Sequence, residues 1–332
     1  MSGEPSILLR GALRLEALLH SVTGARRTPR VIEPYTGYAT PDHLVVIGRV
    51  HDRLTRADPR PDQRRFTNVA QMLGKFLTLE VAGATVRAGE VETQSDEEGY
   101  FTLEIPRKDE DGWHVVEVTL DATGERFPCP VLVPPATHDV MIVSDIDDTV
   151  MRTGAYSLVR NLWTTFSGNA LSREVFADAA VLLDRLHADG ARPVFYVSSS
   201  PWNLYYFLEA VFRRGALVRG PMFLRDLGLS DTKFITSGHG SHKGQAIDTI
   251  LAANPDRPVI LMGDTGQKDA RIYRDAILRH PDRVRAVVLR TPGPGLDADD
   301  RRALAALEET GVAVFSGPSF AGFSERIEPL LG

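Results

Sequence analysis

The sequence predicts an α/β fold in which a parallel sheet, covered by helices on both faces, follows an antiparallel β-sandwich. Before the proline pair Pro134-Pro135, short apolar or alternating segments are separated by Gly, Asp and Pro turns, which is typical of a sandwich. From Val140 onward, apolar strands alternate with amphipathic segments of helical period, which indicates a parallel sheet. Because the two patterns meet at the prolines, we expect a linker there.

The chain divides in this interpretation into three regions. They are an N-terminal helical segment (1–35), a β-sandwich domain (36–135) and a parallel-sheet domain (136–332). A length of 332 residues suffices for two domains, and a content of 43% hydrophobic and 25% charged residues is ordinary for a soluble globular protein.

The charge and the cysteine content restrict the partners and the compartment. A net charge of −6 gives no indication of a nucleic-acid partner. The single cysteine, Cys129, excludes an internal disulfide and favours a reducing compartment. No apolar run approaches the roughly 20 residues that span a bilayer, and the first ten residues lack a signal-peptide core. We therefore expect a cytoplasmic protein without a transmembrane segment, and attachment to a membrane surface stays open.

The first two regions offer no chemistry of their own. Leucines between residues 6 and 20 recur at near-helical spacing and predict a helix packed on the protein, rather than a membrane helix, since few basic residues accompany them. Sandwich strands are predicted over 43–50, 76–81, 85–93, 100–105 and 113–120. The turn Ser95–Gly99 predicts a hairpin between the third and fourth of them. Since no histidines, cysteines or acids cluster here, we expect a scaffold or a docking surface.

In the third region the strands and helices alternate regularly. The predicted strands cover 140–144, 192–197, 258–262, 284–289 and 312–315. The predicted helices cover 172–188, 202–214, 243–253, 269–279 and 304–310. Ligands of such sheets bind at the carboxyl ends of the strands, so the functional site is expected at those ends.

Acids, hydroxyls and one amine follow these strand ends. Each of them alone has an ordinary structural explanation, since serines cap helices and a Gly-Asp pair forms a turn. Three aspartates directly after a buried strand are harder to explain, because carboxylates repel each other and are costly to desolvate; a divalent cation would accept their oxygens. The residues in question are Asp145, Asp147, Asp148 and Thr149 after the first strand, Ser198, Ser199 and Ser200 after the second, Lys243 at a helix start, and Asp264 and Asp269 after the third strand.

These residue types match the chemistry of phosphoryl transfer. An aspartate can attack phosphorus, and a second acid two positions on can protonate the leaving oxygen and then activate water. A magnesium ion held by Asp145, Asp264 and a backbone carbonyl would offset the charges of nucleophile and phosphate. A serine hydroxyl and a lysine ammonium would hold the phosphoryl oxygens.

The motifs resemble those of a known superfamily. The segment D-I-D-D-T, starting at Asp145, resembles motif I (D-x-D-x-T) of the haloacid-dehalogenase superfamily phosphatases. Residues 196–203 (Y-V-S-S-S-P-W-N), His242-Lys243 and 263–269 (G-D-T-G-Q-K-D) resemble the catalytic domain of the actin-patch phosphatidate phosphatase family, over roughly 140–292. This resemblance implies a Rossmann-like haloacid-dehalogenase fold with a minimal cap. It also implies a Mg²⁺-dependent phosphatase that acts through an aspartyl-phosphate, with phosphatidate as the substrate.

The resemblance implies a role for each matched residue. Asp145 matches the nucleophile, and Asp147 matches the general acid/base, whose backbone carbonyl would also bind the metal. Thr149 would steady the motif I loop beside the phosphate. Ser198 is the expected motif II hydroxyl, and Ser199 is the alternative.

The remaining motifs concern the lysine and the metal. Lys243 matches the motif III lysine, which binds the phosphate. Asp264 matches the motif IV metal ligand, and Asp269 is a further acid that either binds the metal through water or orients Lys243. Asp148 has no role in the motif.

The substrate stays open between two classes of phosphate ester. The insertions 151–171 and 201–242 are too short for a globular cap, so an open site for a lipid or a macromolecule is expected by family analogy. Trp163, Phe166 and Trp202 could seat a lipid phosphate at a membrane surface or simply fill the core beside the site. The alternatives are a phosphatase for a soluble sugar or nucleotide phosphate and, from another class, a docking module that acts through the sandwich.

Overall fold

A computed structural model of the chain describes residues 30–52, 80–107, 111–136, 139–152, 175–225, 242–266, 268–291 and 295–331. The predicted helix over 6–20 lies outside these described residues, and so do most of the predicted strand 76–81 and nearly all of the insertion 151–171. The described residues form two sheets, one of them mainly antiparallel and the other parallel.

The first sheet holds eight strands, all from the N-terminal part of the chain. They are β1 (Arg30–Pro34), β2 (Gly37–Ala39), β3 (His43–Asp52), β4 (Thr85–Ala88), β5 (Val91–Gln94), β6 (Tyr100–Pro106), β7 (Gly112–Leu120) and β8 (Glu125–Val133). Their order is β1-β3-β2-β8-β7-β4-β5, with β6 paired to β3. The neighbours run antiparallel except β2 and β8, which are parallel. Alternate side chains of six of these strands meet in one apolar core, for example Val46, Val86, Leu103 and Val118.

Several details of this sheet differ from the prediction. Strands β1, β2 and β8 are absent from the predicted strands, and β1 lies within the segment 1–35 that was predicted to be helical. The segment 85–93 is a hairpin rather than one strand, because a two-residue loop at Gly89, whose φ is +60°, turns the chain back between Ala88 and Val91. The predicted hairpin across Ser95–Gly99 is wrong, since β6 pairs with the long strand β3 instead. All eight strands belong to one hydrogen-bonded sheet, so a sandwich of two sheets stays a prediction.

The second sheet holds six strands in the order β11-β10-β9-β12-β13-β14. The strands are β9 (Met141–Asp145), β10 (Val194–Pro201), β11 (Met222–Arg225), β12 (Val259–Asp264), β13 (Val284–Arg290) and β14 (Ala313–Gly317). Every neighbouring pair is parallel, which confirms the predicted parallel sheet. The edge strand β11 is absent from the strands predicted from the sequence. The predicted strand 192–197 ends at Val197, whereas pairing with β11 extends β10 to Pro201.

Six helices are described in this part of the chain. They are α1 (Ala177–His187), α2 (Tyr205–Arg214), α3 (His242–Ala253), α4 (Asp269–Arg279), α5 (Ala298–Glu308) and α6 (Phe323–Ile327), with short 3₁₀ turns at Ala188–Gly190, Trp202–Leu204 and Glu328–Leu330. Helix α5 starts earlier than predicted, because Asp297 and Asp300 form a capping box there. None of the helices in the described ranges has both the length and the apolar character that crossing a membrane requires.

The helices cover both faces of the parallel sheet. On one face, Ile142, Ile260 and Val288 pack with apolar side chains of α1, α2 and α6. On the other face, Val143 and Leu261, each next in sequence to one of these residues, pack with α3, α4 and α5. Strands buried on both sides read as continuous apolar runs, which is the pattern that predicted them.

Candidate active site

The register of the parallel strands brings three strand ends to one level. Asp145, the last residue of β9, pairs with Val197 of β10, so Ser198 comes directly beyond it on the neighbouring strand. On the other side, Ser144 pairs with Met262 of β12, two residues before Asp264. The strand register therefore brings these residues together at the carboxyl edge of the sheet.

After Asp145 the chain makes a tight turn that carries the next two aspartates. The N–H groups of Val150 and Met151 both donate to the carbonyl of Ile146, at 3.1 and 3.2 Å. Asp148 takes the left-handed conformation, with φ of 57°, and its N–H donates to the carbonyl of Met151 at 2.8 Å. Aspartate tolerates this conformation better than most residues, which gives Asp148 a role in the turn. Asp147 is buried, whereas Asp148 is partly exposed.

Lys243 joins two of the aspartates. Its Nζ lies 2.7 Å from Oδ1 of Asp145 and 2.7 Å from Oδ1 of Asp269. All three side chains are almost completely inaccessible to solvent, with exposures of 3% for Lys243 and 0% for both aspartates. The hydroxyl of Thr149 donates to the other oxygen of Asp145 at 3.1 Å. The contact with Lys243 agrees with the alternative in which Asp269 orients the lysine.

Asp147 has different partners, which are hydroxyl groups. Ser198 Oγ donates to Asp147 Oδ2 at 2.6 Å, and Ser200 Oγ donates to the same oxygen at 3.2 Å. The Ser200 N–H in turn donates to Ser198 Oγ at 2.9 Å. Ser199 is exposed, since it lies between the two in a strand whose side chains alternate. Of the two predicted motif II hydroxyls, only Ser198 is therefore built into the network around Asp147.

The end of β12 is packed against the start of α4. The N–H of Asp264 donates to Asp269 Oδ2 at 3.2 Å. Gly263 admits no side chain here, because a Cβ would lie 2.6 Å from Asp269 Oδ2 and 2.6 Å from the Tyr273 hydroxyl. That hydroxyl donates to the carbonyl of Met262 at 2.6 Å. Close packing thus requires the glycine of this Gly-Asp pair.

The electrostatics reflect an excess of buried acids. Burial raises the pKa of Asp145 well above its ordinary value, and the nearby carboxylate of Asp269 raises it further. Burial also raises the pKa of Asp269. Desolvation alone would lower the pKa of Lys243, but the attraction of Asp145 and Asp269 outweighs it and raises that pKa, so the ammonium stays protonated at neutral pH.

The donor set has the composition of a magnesium site without being a closed cage. Among the described residues, no three Asp, Glu, His or Cys side chains are grouped so that they could hold a metal by themselves. Magnesium is nevertheless commonly bound by one or two carboxylates, with waters and substrate phosphate completing its shell. The buried carboxylates of Asp145 and Asp264 at adjacent strand ends fit this mode. Asp145 and Asp269 both contact the ammonium of Lys243, and two buried carboxylates on one ammonium favour a further cation in the same place.

Three residues that support the site have no role in the prediction. Ser200, which was predicted only to follow the strand end, and Tyr273 have been described above. Arg290, at the end of β13, donates from Nε to the carbonyl of Thr149 at 3.1 Å and forms an ion pair with Asp178 at 3.0 Å. Its guanidinium also lies over the rings of Phe176 and Phe320. The signal in the sequence was the position of Arg290 at the end of a predicted strand, because the ends of parallel strands lie at the same edge of the sheet as the other site residues.

The predicted aromatic residues of the substrate region divide into two groups. Trp163 and Phe166 lie outside the described residues. Trp202 is partly buried and stacks on Tyr35, with 4.7 Å between the ring centroids and 26° between the planes. For Trp202 this agrees with the alternative in which the ring fills the core beside the site.

Comparison with known proteins agrees with this geometry. Residues 140–291 match the model of the family described as "Phosphatidate phosphatase APP1, catalytic domain". Phosphatidate phosphatase APP1 of Saccharomyces cerevisiae is 27% identical over 175 residues, which cover 53% of this chain and 29% of that protein. An uncharacterised protein of Schizosaccharomyces pombe is 27% identical over 208 residues, covering 58% of this chain and 33% of that protein. The chain thus spans about a third of the length of these curated relatives.

A solved structure adds nothing to the argument. The flavohem-like FAD/NAD binding domain of nitric oxide dioxygenase from Vibrio cholerae aligns with a TM-score of 0.22 at 9% identity, covering 80% of this chain and 100% of that one. A score this low carries no conclusion about fold or function.

The site and the match together indicate which class of protein this segment resembles. A parallel sheet with a buried Asp-Lys-Asp cluster at its carboxyl edge is an arrangement suited to phosphoryl transfer. The predicted resemblance is confirmed: residues 140–291 are similar to the catalytic domain of the phosphatidate phosphatase family named above, a family of phosphoric monoester hydrolases.

Proposed function

We propose that this chain hydrolyses a phosphomonoester through an aspartyl-phosphate on Asp145, with a lipid phosphate of the phosphatidate type as its substrate. The observation that carries the proposal is that two acids only two residues apart in the sequence have different interaction partners. Asp145 is held by an ammonium group and Asp147 by two serine hydroxyls, inside a segment that matches a phosphatidate phosphatase domain.

Asp145 is placed to act as the nucleophile. Thr149 and Lys243 hold its two oxygens and so fix the orientation of the carboxylate. In the first step, a carboxylate oxygen of Asp145 forms a bond to phosphorus while the bond from phosphorus to the alcohol oxygen breaks. Lys243 balances the negative charge that the phosphoryl oxygens bring to the site.

Asp147 is placed to transfer the proton. Protonated, it gives its proton to the departing alcohol oxygen, and as a carboxylate it then takes a proton from water. That water attacks the phosphorus of the aspartyl-phosphate, which releases inorganic phosphate and restores the carboxylate of Asp145. Ser198 and Ser200 hold the carboxyl group of Asp147 in one orientation throughout.

The proposed cofactor is Mg²⁺, held by the carboxylates of Asp145 and Asp264 and by the backbone carbonyl of Asp147, with Asp269 available through water. When bound, it supplies positive charge that lowers the repulsion between the nucleophile and the phosphate. Binding is measurable without turnover, because a ligand of the native state raises the melting temperature. We expect Mg²⁺ to raise the melting temperature of the wild type and to have much less effect on Asp264→Asn; equal shifts would contradict this ligand set.

The activity itself is tested by measuring phosphate release from phosphatidate in detergent micelles, p-nitrophenyl phosphate, sugar phosphates and nucleotides, each with Mg²⁺ and with a chelator. We expect Mg²⁺-dependent release, with the highest kcat/KM on phosphatidate. A higher kcat/KM on a sugar or nucleotide phosphate would show that the substrate is a soluble ester rather than a lipid. The proposed mechanism would still hold. Release from no ester would overturn the proposed function.

The finer features of the architecture belong to the same proposal. We propose the haloacid-dehalogenase fold for 136–332, a β-sandwich for 36–135 together with strand β1, a helical segment before β1, and a cytoplasmic location with access to membrane surfaces. The burial of both faces of the parallel sheet under helices supports the first of these. The common apolar core of the eight-stranded sheet supports the second.

A further inference from the structure

The N-terminal sheet contributes a residue to the core of the parallel-sheet region. Tyr35, between β1 and β2, is completely buried and belongs to the apolar cluster that covers one face of the parallel sheet. Its ring stacks on Trp202, and its centroid lies 4.7 Å from that of Tyr205. Because aromatic rings contribute large buried areas, this contact is a substantial part of the junction between the two regions.

Hydrogen bonds fix the same junction. The Tyr205 hydroxyl lies 2.8 Å from the N–H of Thr36, which donates to it, and 2.8 Å from the Thr36 hydroxyl. The Tyr206 hydroxyl donates to the carbonyl of Pro34 at 3.0 Å. The short segment from Pro34 to Thr36 is therefore anchored to the first turn of α2 through both its backbone and its side chains.

A buried arginine of β3 makes a second anchor. Arg49 is only 4% exposed, and its Nη1 donates to Asn203 Oδ1 at 3.2 Å. Its Nε donates to the carbonyl of Glu98 at 2.9 Å, and its guanidinium lies over the ring of Tyr100. Asn203 itself is exposed, and its hydrogen-bond donor is thus a buried arginine of the N-terminal sheet.

Both anchors end on residues that directly follow the serines around Asp147. Trp202 and Asn203 come two and three residues after Ser200, and Ser198 and Ser200 hold the carboxyl group of Asp147. We propose that Tyr35 and Arg49 are positioning residues, which hold the segment 198–203 in place and thereby orient Asp147. The proposal rests on the proposed function, and it places part of the catalytic unit outside the segment 140–291 that matches the family.

The effect on chemistry is separable from a general loss of folded protein. A general acid matters most when the leaving group is a poor one, such as the alcohol of phosphatidate, and much less when it is p-nitrophenolate. We expect Tyr35→Leu to lower kcat on phosphatidate about ten-fold more than kcat on p-nitrophenyl phosphate, with little change in either KM. A lower folded fraction would reduce both rates by the same factor.

Three further variants sharpen this measurement. Tyr35→Phe keeps the stacked ring and should restore the wild-type ratio of the two rates. Tyr38→Leu is the matched control, since Tyr38 also joins the two regions but packs on Phe223 of the edge strand β11 rather than on Trp202; its ratio should equal that of the wild type. Asn203→Ala removes an exposed acceptor at little risk to folding and should change the ratio in the same direction as Tyr35→Leu.

Hydrogen exchange tests the structural link without any turnover. We expect the backbone amides of 198–203 to exchange faster in Tyr35→Leu and Asn203→Ala than in Tyr38→Leu. Equal exchange in all three variants, or equal loss of both rates, would overturn the positioning role. If the wild type released no phosphate while the exchange difference appeared, the proposed function would fail and the structural link would stand.

Discussion

The two ends of the parallel sheet differ in how their charged side chains are buried and paired. At the carboxyl end, the carboxyl groups of Asp145 and Asp269 share the ammonium of Lys243, and these three side chains are buried together with those of Asp147 and Asp264. At the amino end, a cavity of about 860 Å³ is lined by equal numbers of arginines and acids. These are Arg185, Arg192, Arg285, Asp139, Glu325 and Glu328.

The difference lies in burial and in balance. The pair Arg192–Asp139, with 2.9 Å between Nε and Oδ2, keeps 19% and 25% of its side-chain surface exposed, so water screens it. At the carboxyl end, water does not screen the charges of Asp145 and Asp269, which are completely buried around the ammonium of Lys243. Such burial is costly for stability and is tolerated where chemistry requires it. Two buried acids around one ammonium, rather than the number of charged residues, mark the candidate site.

The largest expected effect follows from changing the nucleophile. Asp145→Asn should abolish phosphate release from every ester, because an amide oxygen does not form the aspartyl-phosphate. Removing one buried negative charge should leave the protein folded and not less stable, which circular dichroism and thermal unfolding will check. Asp148→Asn is the matched control: it keeps a residue that tolerates φ of 57° and should retain activity. Turnover by Asp145→Asn at a substantial rate would refute the mechanism.

Removing the ammonium group of Lys243 should lower the free energy of unfolding as well as kcat. Lys243→Met leaves Asp145 and Asp269 buried without their shared partner, and it should lower the free energy of unfolding by about 3–5 kcal/mol in the presence of a chelator. Adding Asp269→Asn should restore part of that loss, since one uncompensated charge disappears. Urea unfolding of the two single variants and the double variant measures the coupling; additive losses would show that the three groups do not act as a unit.

The serines around Asp147 should differ among themselves. Ser198→Ala removes the shorter hydrogen bond, 2.6 Å against 3.2 Å, and should lower kcat more than Ser200→Ala. The loss expected on removing Ser198 is about ten-fold, below the full contribution of a general acid. Ser199→Ala, at the exposed position between them, should leave kcat unchanged. A large loss in Ser199→Ala would make Ser199 the phosphate-binding hydroxyl instead.

The ion pair beside the site should give a pH-dependent contribution to stability. Burial alone would raise the pKa of Asp178, but hydrogen bonds from Arg290, Ser319 and the N–H of Phe320 lower it to about 2. Because this pKa is lower in the folded state, its contribution is present above the unfolded-state value of 3.8 and is lost as the pH falls towards 2. Asp178→Asn should therefore cost about 1–2 kcal/mol at neutral pH, discounted for partial exposure, and progressively less below pH 4. A cost that does not change with pH would contradict the assignment.

The smallest effect is expected at the amino end of the sheet. Arg192→Met breaks the partly exposed pair with Asp139 and should lower the free energy of unfolding by at most about 1 kcal/mol. Because the cavity lies at the far edge of the sheet, kcat should equal that of the wild type. A loss comparable to that of Lys243→Met would remove the contrast between the two ends.

The sequence by itself determined which residues meet at the site, because two local rules suffice for that. Apolar periodicity locates strands such as Val140–Ser144, and the carboxyl ends of parallel strands share one edge. The proximity of Asp145, Ser198 and Asp264 is therefore predictable from the sequence alone. The chain order of the motifs then made Lys243 and Asp269 candidates for the same edge.

The tertiary structure decided how those residues are paired and what holds them. Side-chain alternation in a strand longer than predicted turned Ser198 and Ser200 to Asp147 and left Ser199 exposed. Lys243 and Asp269 are 26 residues apart and Tyr35 and Trp202 are 167 apart, so no periodic pattern connects either pair. Such contacts depend on how helices and sheets pack after they form, and short-range sequence patterns carry no information about that packing.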